Sequence, residues 1–186
     1  TAINYFGTDT IAAWTAYGKI DVVFWMIMNS FGIAITTFTG QNFGAGKKDR
    51  VRSGIRQGTL LILISTLFLC GFLLLCGGAV LNIFTTDSDV LSIGSHIIHF
   101  LVPLFFTYTG VQVFSSSLRG LGNTFVPMML SCFGVCGIRL LWLFLALPLN
   151  RTLDMVLSCY PLTWGITSIL FLIYFECSGR KMLDRI

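Results

Sequence analysis

Long apolar runs alternate with short polar stretches along the whole chain, at the spacing of membrane-crossing helices. A bilayer core needs about 20 predominantly apolar residues at 1.5 Å rise each. Five stretches meet that length, at about 11–40, 58–84, 90–117, 124–149 and 155–177. In the first of them Val22 to Gly40 is the securely apolar part. Between them lie Gly40–Arg56 (GQNFGAGKKDRVRSGIR), the acidic turn Thr85–Asp89, the turn Leu118–Asn123 (LRGLGN) and the turn Asn150–Asp154. Residues 1–10 are too short to span and read as the tail of an earlier helix followed by a turn. The end, SGRKMLDRI, reads as polar. The pattern predicts an all-α integral membrane protein of five transmembrane helices, one unit over 1–186, with no internal repeat or low-complexity segment.

Composition sharpens this reading. The chain is 55% hydrophobic and 11% charged, where a soluble domain carries about a quarter charged residues. The net charge of +4 therefore argues for topology and not for a nucleic-acid partner. Lys47, Lys48, Arg50, Arg52 and Arg56 cluster in the Gly-rich stretch, and an even number of intervening spans puts Arg119, Arg180, Lys181 and Arg185 on the same side. Arg151 stands alone opposite them, while Lys19 and Arg139 fall within spans. Cytoplasmic loops are rich in Lys and Arg. Gly40–Arg56 and the C-terminus are thus expected in the cytoplasm, in a multi-pass protein of the plasma (inner) membrane. The chain begins at Thr1 with no charged segment before an apolar core, so no signal peptide is expected and the chain reads as a fragment or a trimmed form. Seventeen Phe suit lipid-facing surfaces. The cysteines, Cys70, Cys76, Cys132, Cys136, Cys159 and Cys177, lie in or beside apolar runs with no C-x-x-C pair, and read as small apolar fillers.

Few residues offer chemistry. Glycines before Lys47 suggest a phosphate-binding loop, but that motif needs Gly at 41, which is Gln41, and Ser or Thr at 48, which is Lys48. The glycines at 40, 44 and 46 more simply end a helix and turn the chain. Ionisable residues within spans are costly and become functional candidates. From Asp21, helical steps carry Trp25, Met28, Asn29, Gly32 and Thr36 to one side, which suits either a watery cavity wall or helix packing. Lys19 points elsewhere and is expected to snorkel outward. Arg139 must face protein or water, as a structural partner or a ligand group. Tyr108, Gln112 and Ser116 form a second stripe, for interhelical hydrogen bonding or for lining a substrate path. His96 and His99 read as interfacial; a proton-handling role would need a buried carboxylate nearby. No Ser-His-acid set, H-E-x-x-H or metal-ligand cluster points to an enzyme, a metal or a cofactor.

GQNFGAGKKDRVR after one span and SLRGLGNTFVPMM between two later ones, with Arg139 in the following helix and a basic tail, resemble the multidrug and toxic compound extrusion (MATE) family. The motif positions are Gly40, Gln41, Asn42, Gly44, Gly46, Arg119, Gly120, Gly122 and Pro127. The resemblance covers the whole chain and matches the family's C-terminal lobe. It implies half of a two-lobe, twelve-helix transporter, with residues 1–8 ending the seventh helix and the five spans forming the eighth to twelfth. It further implies secondary active multidrug efflux, antiporting organic, often cationic, compounds against Na⁺ or H⁺. The implied partners are a small organic substrate, the lipid bilayer and the N-terminal lobe of the same protein, without which this chain should not transport. Asp21, Trp25, Asn29, Tyr108, Gln112 and Arg139 become cavity candidates. Some branches place a coupling acid in the tenth helix, yet 90–117 has no Asp or Glu; others hold the cation in the N-terminal lobe. The coupling ion is therefore expected to bind outside this chain. Two other readings remain: a flippase of the same superfamily for a lipid-linked substrate, which should show more cavity cations than Arg139, and a non-transporting assembly subunit, which should show no cavity. From the cytoplasmic end Asp21 and Arg139 lie roughly 28 and 22 Å deep, and an ion pair between them is expected.

Overall fold

The computed structural model describes residues 2–146, 148 and 151–184. Each apolar stretch becomes one continuous helix: α1 Thr8–Gly44, α2 Lys48–Leu81, α3 Ser88–Gly120, α4 Phe125–Ala146 and α5 Leu153–Leu183. α1, α3 and α5 run past their stretches at both ends and α2 at its start, while α4 stays within 124–149. A short 3₁₀ turn, Ala2–Phe6, precedes them. Thr1, Leu149, Asn150 and Arg185, expected as part of a helix tail, a span end, part of a turn and a tail cation, lie outside the described residues.

Lipid is as apolar as a protein core, so helices here are apolar on every side and their outward faces stay greasy. Val22, Met26 and Ile33 of α1, Phe68 and Leu75 of α2 and Phe144 of α4 are all exposed. The buried face of α1 runs through Ala13, Tyr17, Phe24, Met28, Gly32, Ile35 and Thr39. It packs on α2 and on both halves of α3, while α5 packs on α3 and carries the outlying α4.

The expected Gly-rich loop is mostly helix. Gly44 closes α1 and α2 already begins at Lys48, so only residues 45–47 turn, with Gly46 at φ +68°. Lys48, Arg50, Arg52 and Arg56 therefore project from the first turns of α2. Gly40 sits inside α1, where an added Cβ would stand 3.4 Å from the Gly120 carbonyl oxygen. At Gly120 a Cβ would lie 2.6 Å from Thr39 Cβ and 2.7 Å from the Thr36 carbonyl. The two sequence motifs thus meet at one close crossing of α1 and α3, which requires glycine at Gly120, while a Cβ at Gly40 would make an ordinary contact. The LRGLGN turn is likewise shorter, because α3 continues to Gly120 and Gly122 makes the reversal at φ +86°. The Asn123 carboxamide oxygen then accepts from Val126 N–H, and Pro127 fits the first turn of α4, where no backbone donor is needed. Residues 178–183 are not a free polar tail: α5 carries on to Leu183, which is 1% exposed.

Three helices depart from α geometry. Pro103 opens a 3₁₀ segment, Val102–Tyr108, within α3. Its far end meets α5, where Ser168 Oγ donates to the Thr107 carbonyl at 2.6 Å and accepts from Val111 N–H at 3.1 Å. Gly110 lets Ser168 approach, since a Cβ there would be 2.8 Å from Ser168 Cβ. A π-helical segment, Cys132–Gly137, interrupts α4, and another, Phe175–Gly179, interrupts α5.

Candidate functional site

Asp21 lies in the upper half of α1, on the edge of its packing face. Trp25 Nε1 donates to its carboxylate at 2.6 Å and Tyr17 Oη at 3.4 Å, both from the same helix at i+4 spacing. Around them the aromatic side chains of three helices close up. Phe24 stacks on Phe105 of α3 with centroids 4.1 Å apart, and Trp25 meets the edge of Tyr108 at 4.8 Å. From α5, Trp164 touches Trp25 and Tyr108, and Tyr160 touches Trp14 and Trp164. The half-buried carboxylate is thus held by two donors at the margin of an aromatic cluster.

Farther down α1 the two predicted stripes face each other. Met28 and Gly32 belong to the buried contact with α3, Asn29 is exposed, and Thr36 donates to the Ser116 carbonyl at 3.1 Å. Gln112 is buried against Gly32, where a Cβ would come within 1.9 Å of its Nε2. Asn29, Gly32, Thr36, Gln112 and Arg119 line a recess of about 240 Å³. Arg119 folds back into it, its Nε donating to the Ser115 carbonyl and a terminal nitrogen to Ser116 Oγ, each at 3.3 Å. Of the Tyr108–Gln112–Ser116 stripe, Ser116 thus accepts an interhelical bond from α1 and Gln112 both packs on α1 and borders the recess.

Asp21 and Arg139 are not an ion pair. Among the described residues no salt bridge joins them; Arg139 instead lies over the Tyr160 ring, 4.2 Å from its centroid. The reason is position. Gly134 brings α4 close against α5, where an added Cβ would stand 2.5 Å from Thr167 Oγ1. α4 packs on α5 and makes no comparable contact with α1, so Arg139 meets α5 and not Asp21. Its Nε is buried with no hydrogen-bond partner. Nothing in the sequence flags the π segment, although two glycines and two small cysteines in CFGVCG permit it.

The remaining candidates sit at the ends. Lys19 Nζ lies 5.1 Å from the Phe84 ring centroid. His96 Nε2 is 2.5 Å from the Asp154 carboxylate, an exposed tie between α3 and α5, and His99 bonds the Ser95 carbonyl within its own helix. Gln41 and Asn42 border a recess between the end of α1 and the start of α2. All six cysteines are free thiols; Cys70 donates to the Val102 carbonyl. Among the described residues no three His, Cys, Asp or Glu side chains gather as metal ligands do.

Comparison with known proteins bears on the same chain. The family model MatE matches residues 1–145. "Probable multidrug resistance protein YoeA" of Bacillus subtilis is 23% identical over 180 residues, covering 96% of this chain and 39% of that protein. "Probable multidrug resistance protein NorM" of Thermotoga maritima is 32% identical over 116 residues, covering 61% and 25%. "Multidrug and toxin extrusion protein 1" of Homo sapiens is 28% identical over 137 residues, covering 69% and 22%. A solved structure described as the outward-facing conformation of a multidrug resistance MATE family transporter of the MOP superfamily superposes at a TM-score of 0.87 and 14% identity, over all of this chain and 42% of that one. This chain therefore spans well under half the length of the relatives it matches.

Proposed function

The chain belongs to the MatE family, and from that premise we propose that it forms the C-terminal lobe of a secondary active transporter that expels organic cations. The observation that carries the reading is the Asp21 carboxylate, held by Trp25 and Tyr17 within an aromatic cluster from α1, α3 and α5. The polar recess at Asn29 and Gln112 lies on the same α1–α3 face. A second lobe laid against that face would enclose both and complete a substrate path in the plasma membrane. The share of the relatives' length that this chain leaves uncovered has room for such a lobe. Alternating access would then rock one lobe against the other around the enclosed site. Asp21 already accepts from two donors, which favours a role in holding organic cation over one in capturing the coupling ion. The coupling ion, Na⁺ or H⁺, is assigned to residues outside this chain, and the cation-rich end to the cytoplasm.

The test uses the gene product that carries these residues, reconstituted in vesicles and loaded with ethidium as the cationic probe. Asp21→Asn keeps the shape and removes the charge. Loss of one charge-assisted contact of about 1.5 kcal/mol predicts roughly tenfold slower gradient-driven efflux. Efflux at the unaltered rate would exclude Asp21 from the path.

A further inference from the structure

At the cation-rich end, where α2, α3 and α5 come together, the structure holds a pocket of about 520 Å³. That is within the ~300–1,000 Å³ of small-ligand sites. Its two halves differ in character. The floor is apolar: Ile55 of α2, Phe114 of α3, and Phe175 and Leu183 of α5, with the two Phe rings 5.3 Å apart. The rim is charged, with Arg52, Arg56 and Arg180 against the single carboxylate of Glu176. Glu176 pairs with Arg180 at 2.8 Å, and Arg52 reaches Asp184 at 3.4 Å. Arg56 has no ion-pair partner among the described residues. The pocket therefore keeps an excess of positive charge directly above greasy surface.

The shape has a local cause. The π segment Phe175–Gly179 shifts the register of α5 at this level, and π segments recur at functional sites. It lets Phe175 fold over Gly179, where a Cβ would lie 2.7 Å from the ring. Phe175 thereby enters the floor while Glu176 and Arg180 stay on the rim. In a water-soluble protein such a rim would accept any small anion. Here five spanning helices place it at the end of the bundle, where the acyl region gives way to headgroups.

We propose that this pocket is a binding site for an anionic phospholipid, its phosphate held by Arg52 and Arg56 and the start of an acyl chain laid on Phe114 and Phe175. Basic pockets between transmembrane helices on the cytoplasmic side select such headgroups, with each nearby cation contributing about 1 kcal/mol. A zwitterionic lipid offers the same phosphate but cancels it with its own cation. Free phosphate offers the charge but leaves the floor empty. The bound lipid would tie the start of α2 to the end of α5 across α3.

The experiment uses the whole gene product carrying these residues, delipidated in mild detergent. It is mixed with dioleoylphosphatidylglycerol or dioleoylphosphatidylcholine, and retained lipid is counted by native mass spectrometry. The unaltered protein should retain phosphatidylglycerol in preference, and inorganic phosphate should not displace it. Arg56→Gln should weaken retention about fivefold. Arg50→Gln, in the neighbouring recess between α1 and α2, should leave retention unchanged. Equal retention of the two lipids by the unaltered protein would overturn the proposal whatever the variants do. So would displacement by inorganic phosphate, or an Arg50→Gln effect as large as that of Arg56→Gln.

Discussion

Ser168 is the place to test how the helices are locked together. Its hydroxyl donates to the Thr107 carbonyl and accepts from Val111 N–H, groups four residues apart that would close one rung of a regular α-helix. In Ser168→Ala those two groups have two fates. If the end of the 3₁₀ segment tightens back to α geometry, they bond to each other and only the interhelical ties are lost. Such ties average about 0.6 kcal/mol each in membranes, so two give a floor near 1 kcal/mol. If Pro103 and the packing of Phe105 hold the segment as it is, the groups stay buried and unpaired at about 1–3 kcal/mol each. The fully buried Phe105, stacked on Phe24, favours the second fate in part. The expected loss is about 1–3 kcal/mol, read as the shift in the SDS-unfolding midpoint of the purified gene product. Gly110→Ala should cost a similar amount, because its Cβ would push on Ser168 from 2.8 Å. The double variant should cost less than the sum, since both changes strike one contact. A Ser168→Ala loss below about 0.3 kcal/mol, or strict additivity with Gly110→Ala, would refute this account of the α3–α5 lock.

Gly120→Ala should destabilise the protein by about 1–3 kcal/mol, since the new methyl meets the Thr36 backbone and cannot be moved aside cheaply; unchanged thermal stability in detergent would contradict the α1–α3 crossing. At Gly122 the space is open but φ is +86°, so Ala there should cost a smaller ~1 kcal/mol of backbone strain. The hydrogen bond from Lys48, aided by the charges of Lys48, Arg52 and Arg180, holds the Asp184 carboxyl below its ordinary value of 3.8. A depressed folded value means the tie is fully present above pH 3.8 and fades as pH falls through the lower folded value. Hydrogen-exchange protection at residues 180–184, taken relative to the intrinsic rate at each pH, should hold above that range and fall below it, whereas Asp184→Asn should show the lower protection throughout. Single cysteines at Ser53 and Ser88, both exposed and at opposite ends of the bundle, should label from opposite sides of the membrane. Labelling of both from outside would overturn the five-span reading.

The five helices, their order and the gathering of cations at one end were all legible in the sequence. That legibility has a local cause: a stretch of 20 apolar residues partitions into lipid whatever its neighbours do, and backbone bonds must then close within it. The Asp21 and Tyr108 stripes were each legible as polar and small residues at i+4 spacing, but not that the two would meet. Tertiary structure decided which faces touch. With lipid outside as apolar as the core inside, periodicity does not tell a packed Phe24 from an exposed Phe68. The packing of α4 on α5 set Arg139 over Tyr160, and a π segment in α5 shaped the arginine-rimmed pocket; no residue pattern announces either. Gly40 and Gly120, eighty residues apart and each read as part of a turn, face each other because two helices cross there. The sequence marks where glycine is needed, and only the packed bundle shows what it makes room for.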